Sequence, residues 1–324
     1  MFVLAVAASA GARADDAVAP APAPVVWQNP VVSEDFPDPS ATRVGDGYWA
    51  TATSTARAPG FPLLQSDDLL HWRQVGEIFP RPPGWADGSL WAPELVVDQA
   101  GTRVYYTAHR RGRGLCVAVA SASGPQGPYT DHGPLVCQPA GSIDPTQVRD
   151  AAGRPYLVWK EDGNSVGQPS RIWIRRLRAN GLGLIGPRRQ LLRNWDRWEG
   201  PVVEAPEIVA HGRWLYMFYS GNTYGPAPIC HYALGVARAK SVFGPWRRDP
   251  SNPILRSNRH WRCPGHVSPV GDGAGRLWLL YHAYPAKADP LAPRQALLDV
   301  VTWDRDDWPS VNGGRGPSIS ANVP

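Results

Sequence analysis

Three carboxylates in this chain of 324 residues occupy look-alike settings. Asp38 lies in FPDPS, Asp144 in SIDPT and Glu204 in VVEAP, each one or two residues before a proline at the start of a strand-like run. An ionised group at the lip of a buried strand is costly unless it has a task, so the placement itself asks for chemistry. Two carboxylates facing each other across a pocket can split a glycosidic bond, one protonating the leaving oxygen while the other activates water or attacks directly. A third nearby raises the acid's pKa by like-charge repulsion and keeps it protonated near neutral pH. Tryptophan offers the flat apolar face on which sugar rings stack, and the chain has 15 of them, most of which must serve packing.

An internal repeat supplies the elements that would bring these residues together. A proline, a few residues, a Gly/Asp turn and an aromatic-rich strand recur in DPSATRVGDGYWATATS, APELVVDQAGTRVYYTAHR, DPTQVRDAAGRPYLVWK, APEIVAHGRWLYMFYSG and SPVGDGAGRLWLLYHAY. The marker prolines are Pro39, Pro93, Pro145, Pro206 and Pro269, at offsets of 54, 52, 61 and 63. Further strand candidates follow in each unit, among them PLLQSDDL, CVAVAS, IWIRRL and YALGVARA. Four short strands per unit, repeated five times, predict an all-β, five-bladed β-propeller. A β-sandwich would need no fivefold repeat. Innermost strands of a propeller run along the central channel, so equivalent strand starts converge on one mouth. Alignment by proline places Asp38, Ala92, Asp144, Ala205 and Ser268 there, with Pro37, Trp91, Ile143, Glu204 and Val267 one residue earlier and His266 one further back.

Composition agrees with many short strands and tight turns: 35 prolines, 33 glycines and no long helix-period run. The formal charge of +5 is spread over arginines such as Arg175, Arg176, Arg178, Arg188 and Arg189 rather than a tract, which argues against a nucleic-acid or membrane surface. No run approaches the roughly 18 apolar residues of a membrane helix. Residues 1–14 have an apolar stretch and the small-x-small Ala12-Arg13-Ala14, the form of a signal-peptide cleavage site, although no Lys or Arg precedes them. A Pro/Ala-rich linker over 15–27, a propeller over 28–318 and a tail over 319–324 complete the expected organisation, in a secreted or periplasmic monomer. Four cysteines suit two disulfides in an exported chain, and proximity favours Cys116 with Cys137 and Cys230 with Cys263. Neither pair has zinc spacing.

Taken together, NPVVSEDFPDPSATRVGDGYWATATS, SDDLLHWRQVG, WAPELV, SIDPTQVRDAAGRPYLVWK, VVEAPEIVAHGRWLYMFYSGN, PGHVSPVGDGAGRLWLLYHAY and LLDVVTWDRDDWPSVNGGRGPS resemble glycoside hydrolase family 43, over about residues 28–318. The resemblance implies a five-bladed propeller that hydrolyses arabinose- or xylose-containing polysaccharides with inversion. It implies Asp38 as general base, Asp144 as the aspartate that tunes and orients the acid, and Glu204 as general acid. Glu199 and Glu207 are rivals for the last role. Alternation puts Glu207 on the opposite face from Glu204, where pairing with a scaffold arginine is expected. His266 is implied to line the pocket floor, beside a possible calcium ion in the central channel; Val267 after it, where the family commonly has a small residue, puts that metal in doubt. Core satisfaction by backbone is the alternative for this histidine. Arg294 is implied to contact substrate, against a structural ion pair. Trp91 is the expected sugar platform and Phe36 a weaker one. No cofactor is required.

Inversion follows from SIDPT, which lacks the arginine of retaining propellers, and predicts Asp38 and Glu204 carboxyl groups roughly 6.5–9.5 Å apart with room for water. The expected substrate is a pentose-containing polysaccharide or oligosaccharide cut at α-L-arabinofuranosidic linkages by an exo-acting enzyme. Alternatives are a β-xylosidase or an endo-1,5-arabinanase, decided by whether loops such as 57–61 and 222–230 make a closed pit or an open cleft. The absence of a β-sandwich module after Pro324 tilts this expectation toward arabinose. A non-catalytic sugar-binding propeller is the alternative of another class, and it predicts loss of at least one of the three acids.

Overall fold

The computed structural model describes residues 25–225, 230–287, 289 and 292–323. Strand β1 (Val25–Gln28) is followed by five four-stranded antiparallel sheets, each built from consecutive strands in the order they occur in the chain. The first is β2 (Ser40–Val44), β3 (Gly47–Thr51), β4 (Pro62–Ser66) and β5 (Arg73–Glu77). The second is β6 (Trp91–Asp98), β7 (Gly101–Arg110), β8 (Gly114–Ala122) and β9 (Thr130–Val136), and the third β10 (Ser142–Arg149), β11 (Pro155–Glu161), β12 (Arg171–Leu177) and β13 (Leu184–Arg193). The fourth is β14 (Val203–His211), β15 (Trp214–Gly221), β16 (Ala233–Ala239) and β17 (Arg247–Arg248). The fifth is β18 (Trp261–Gly271), β19 (Leu277–Pro285), β20 (Gln295–Trp303) and β21 (Pro309–Val311), and β22 (Ser320–Val323) pairs with β1.

The protein is thus the five-bladed β-propeller that the repeat predicts. Each pair of neighbouring blades encloses its own apolar core, which explains why the second strands read as unbroken apolar runs: both of their faces are buried. In β15, Tyr216 and Phe218 pack toward blade five, while Met217 and Tyr219 pack toward blade three. Tyr106 and Tyr105 of β7 divide in the same way between blades one and three. A two-residue side-chain period therefore serves two interfaces at once. The core between blades five and one is closed by Trp27 against Trp278, ring centroids 4.9 Å apart.

Two boundaries differ from expectation. Residues 25–27, assigned to a linker, and 320–323, assigned to a tail, form the β1–β22 pair that seals this last interface. The expected leader over 1–14 and the linker up to residue 24 lie outside the described residues. Cys116–Cys137 and Cys230–Cys263 form the two disulfides. No helix among the described residues is long and apolar enough to cross a membrane.

A residue in the left-handed region lies just before the inner strand of blade one and within that of every other blade: Asp38 (φ 52°), Ala92 (42°), Asp144 (52°), Ala205 (50°) and His266 (49°). In blades two to five the ladder skips there, between Trp91 and Glu94, Ile143 and Thr146, Glu204 and Glu207, and Gly265 and Ser268. Blade five is therefore displaced by two residues from the proline alignment. His266 takes the place expected for Ser268, and Val267 stands where the other blades have proline. Non-glycine residues pay roughly 1–2 kcal/mol for this conformation. Four of the five backbone N–H groups are caught by a side chain at the end of the previous blade's second strand: Ala92 by Thr53 (2.7 Å), Asp144 by Thr107 (3.2 Å), His266 by Ser220 (2.9 Å) and Asp38 by His282 (3.1 Å). Ala205 donates instead to the Asp144 carboxylate, at 3.0 Å.

Two residues further along each strand a second ring forms from Ser40, Glu94, Thr146, Glu207 and Ser268. Ser40 donates to Glu94 at 2.7 Å, and the Thr146 hydroxyl lies 3.3 Å from Glu94 and 3.2 Å from Glu207. Glu207 was expected to meet a scaffold arginine; the skipped register turns it into the channel instead, and among the described residues its hydrogen-bond partner is Thr146. Burial pushes Glu94 up to about 7, against the Ser40 and Thr146 hydrogen bonds, and burial with the Glu94 charge pushes Glu207 well above the carboxylate range. A carboxyl raised on folding contributes stability below its unfolded pKa of about 4.3 and loses it as pH climbs through the folded value. The melting temperature should accordingly fall between pH 5 and pH 8. Glu94→Gln should remove much of that fall, roughly 2–3 kcal/mol at the alkaline end, as read by calorimetry across pH.

Candidate active site

The first ring opens into a pocket of about 410 Å³ lined by Asp38, Asp144 and Glu204 together, with Trp91, His266 and Arg294 also on its wall. Six of the seven residues expected at the site therefore meet. Phe36 does not: its ring is 2 % exposed and packs in the core between blades five and one, bordering a different groove. Its chain position, two residues before the Asp38 bend, turns it inward, and the strongly exposed aromatic beside the pocket is Tyr224 instead.

Asp38 sits in a cradle built on one fixed cation, Arg294. Arg294 Nη1 lies 3.0 Å from Oδ1, His282 Nδ1 3.2 Å and His266 Nδ1 3.4 Å, while the Thr53 hydroxyl donates to Oδ2 at 2.7 Å. The same hydroxyl accepts the Ala92 N–H, so Thr53 fixes the carboxylate and latches the next blade. Burial opposes ionisation of Asp38, but Arg294, then His266 and His282, outweigh it and hold the carboxyl well below its ordinary range. Burial in turn lowers both histidines, His282 to about 4.

Asp144 is tuned the other way. Burial, reinforced by the Glu204 charge and only partly countered by Lys160, holds it well above the ordinary carboxylate range. Glu204 is gripped from both sides: Lys160 Nζ lies 2.6 Å from Oε2 and Tyr232 donates to Oε1 at 2.7 Å. Lys160 is 1 % exposed and also reaches Asp162 at 2.8 Å. Burial disfavours the ammonium ion, yet Glu204, Asp162 and Asp144 together raise its pKa. Tyr232 can approach because the facing residue is Gly265, where a Cβ would fall 2.3 Å from the Tyr232 ring. The rival Glu199 is fully buried and bound by Tyr219 and Arg248 Nε, each at 2.7 Å, so it braces the 194–200 loop.

Lys160, Tyr232, His282 and Thr53 were missed by sequence reasoning, although a signal for three of them existed. Thr107, Lys160, Ser220 and His282 each pair with the residue before the left-handed one, and Thr53 donates its backbone N–H to the corresponding Pro37. Polar residues ending apolar runs in WATATS, YYTAH, LVWKED, MFYSGN and LLYHAY mark this position in all five repeats. A lysine closing a buried strand is the most conspicuous of them, because burial without a partner is costly.

The calcium implied beside His266 finds little support in the donor set. His266 Nδ1 faces Asp38, which is already shared with the Arg294 cation. Among the described residues no three His, Cys, Asp or Glu side chains are grouped to hold a metal.

A propeller whose axial mouth combines one carboxyl held well below the ordinary carboxylate range with a second held well above it has the equipment of a glycosidase. Residues 27–309 match the family model of glycosyl hydrolases family 43, and the chain belongs to that family. It is 27 % identical to a xylosidase/arabinosidase of Butyrivibrio fibrisolvens, over 90 % of this chain and 57 % of the relative. It is 26 % identical to an extracellular exo-alpha-(1->5)-L-arabinofuranosidase of Cellvibrio japonicus, over 86 % of each. A thermostable family-43 glycoside hydrolase of known structure superimposes with a TM-score of 0.80 at 26 % identity, covering 90 % of this chain and 97 % of the other. The chain spans less than two thirds of the length of several curated relatives, which include xylosidases. Members of the family generally work without a cofactor.

The cradle around Asp38 makes a directional prediction. Arg294→Met removes the cation that most favours the ionised carboxylate, so the acid limb of the pH profile of kcat/KM should move to higher pH. A limb unmoved in the variant would show that a group other than Asp38 sets it.

Proposed function

We propose that the protein is an exo-acting, inverting α-L-arabinofuranosidase that releases pentose from arabinan or arabinoxylan-type chains. The observation that carries this reading is the opposite tuning of two carboxyls in one pocket: Asp38 held well below the ordinary carboxylate range, Asp144 well above it. Asp38, aimed by Thr53 and Arg294, takes the proton from a water that attacks the anomeric carbon. Glu204 gives a proton to the departing glycosidic oxygen. Asp144, beside it in the pocket, tunes and orients that acid. Lys160 orients Glu204 and balances the negative charge that grows on it as the proton leaves. Trp91 and Tyr224 flank the mouth as sugar platforms, and Arg294 is placed to meet a sugar hydroxyl as well as Asp38. His266 closes the floor, and no step needs a metal; a calcium ion elsewhere in the channel would be structural.

Support for arabinose comes from the Cellvibrio japonicus relative, matched over 86 % of both chains and named an exo-acting arabinofuranosidase. The relatives named β-xylosidases of Vibrio and Bacillus subtilis are matched over 59 % and 58 % of their lengths, which makes xyloside cleavage the second reading. We also propose that the enzyme is a secreted or periplasmic monomer.

Nitrophenyl α-L-arabinofuranoside should be hydrolysed faster than the β-xyloside, with debranched arabinan testing exo against endo action. Proton NMR of the first product should show the inverted anomer. Asp38→Asn and Glu204→Gln should each lower kcat by about 10²–10⁴-fold with the fold intact. Lys160→Met should lower kcat by about tenfold or more with KM little changed. A retained anomer, or full turnover in either carboxylate variant, overturns the assignment concerned.

A further inference from the structure

Far from the pocket, arginines that look scattered in the sequence are gathered into one place. The register of β12 and β13 sets Ile174 opposite Arg189 and Arg176 opposite Ile185. Arg175, Arg176, Arg188 and Arg189 thereby line a single groove of about 410 Å³ on the outer edge of blade three, over Tyr156 and Phe243. Three of the four are exposed and Arg175 is half-buried. Three of the guanidinium groups are held in place. Arg175 Nε donates to Gly186 O at 2.7 Å, Arg188 lies 4.5 Å over the Trp173 ring, and Arg189 lies 5.7 Å over Phe243, itself edge-on to Tyr156.

Phe243 also borders a second groove of about 550 Å³, where Arg213 and Lys240 flank the ring of Trp214 at 5.5 and 5.6 Å. Among the described residues, none of these six cations has a carboxylate within ion-pair distance. Arg154, on the wall of the second groove, is paired with Asp150 there, and Arg103, Arg248 and Arg294 are paired elsewhere in the molecule. The turns at 150–154 and 211–213 join inner to second strands at the end away from the pocket, so this face is remote from catalysis.

Six unpaired cations in two adjoining grooves want a polyanion. The large apolar side chains that are exposed, including Val26, Val75, Trp91, Trp195 and Tyr224, lie outside both grooves, so there is no apolar wedge for a bilayer and no free ring on which to stack bases. The Phe243 and Trp214 rings are already covered by guanidinium groups, and Tyr156 is buried. Arginine forks match carboxylates in bidentate geometry, and sites repeated along two grooves suit carboxylates repeated along a chain.

We propose that the grooves of blades three and four anchor the carboxylate-bearing backbone of an acidic, uronate-containing polysaccharide, leaving the axial pocket free to trim neutral pentose branches. The choice of a polysaccharide among polyanions rests on the glycosidase reading; the cation cluster itself does not.

Affinity electrophoresis in sodium polygalacturonate, with the methyl-esterified polymer as the uncharged control, tests it. The acidic polymer should retard the protein, the ester should not, and about 0.5 M salt should abolish retardation, since the screening length there is under about 5 Å. Arg188→Glu combined with Arg189→Glu should weaken binding by about tenfold or more while hydrolysis of the nitrophenyl arabinofuranoside is unchanged. Should that pair fail to fold, as judged by near-ultraviolet circular dichroism, Arg213→Ser with Lys240→Ser gives the same reading from the second groove. Equal binding of the ester, undiminished binding by a folded variant, or equally tight binding of duplex DNA or anionic vesicles overturns the proposal. Binding without any glycoside turnover would instead sink the enzymatic reading and leave the anchoring site standing.

Discussion

The structure depends on a chain of backbone latches around the propeller axis. Five non-glycine residues adopt a left-handed conformation at the same point of each inner strand, and each directs its N–H away from its own sheet. Left unsatisfied, such a buried group costs about 1–3 kcal/mol in addition to the backbone strain. Thr53, Thr107, Ser220 and His282 satisfy four of them from the preceding blade, so every latch ties one blade to the next and the last, from His282 to Asp38, closes the circle. The strain that aims Asp38, Asp144 and His266 at the axis is thus sustained by the ring closure that also holds the blades together.

Blade three breaks the pattern, and it breaks it at the chemistry. At the latch position it carries Lys160, which can donate but cannot accept. The Ala205 N–H turns to the Asp144 carboxylate instead, and the ammonium group is released to hold Glu204. One substitution in a fivefold repeat therefore places a cation beside Glu204 and leaves Asp38 to a separate cradle built on Arg294. The result is two acids tuned in opposite directions in one small volume, which is what acid and base catalysis by like groups requires.

The repeat, the blade count and the three carboxylates were legible because propeller blades are local in sequence: each sheet is made of consecutive strands, so periodicity in the chain is periodicity in space. Legibility failed where a blade departs from its neighbours. Pro269 served as the marker for blade five, but the bend falls at His266, two residues earlier, since Val267 occupies the proline position. Phe36 read as a pocket aromatic and is core, because the turn at Asp38 reverses which side of the chain faces the axis. Glu207 read as a scaffold ion pair; the skipped register puts it in the channel beside Thr146.

The sequence by itself determined the architecture and the identities of Asp38, Asp144 and Glu204, because strand alternation and repeat position are properties of a single chain segment. Tertiary structure alone decided their surroundings, with Arg294, His266 and His282 around Asp38 and Lys160 and Tyr232 around Glu204. It likewise decided that arginines 12 or more positions apart in the chain share one groove. Charge interactions act through distance in space and through burial, and neither is written in the order of residues until the blades have closed.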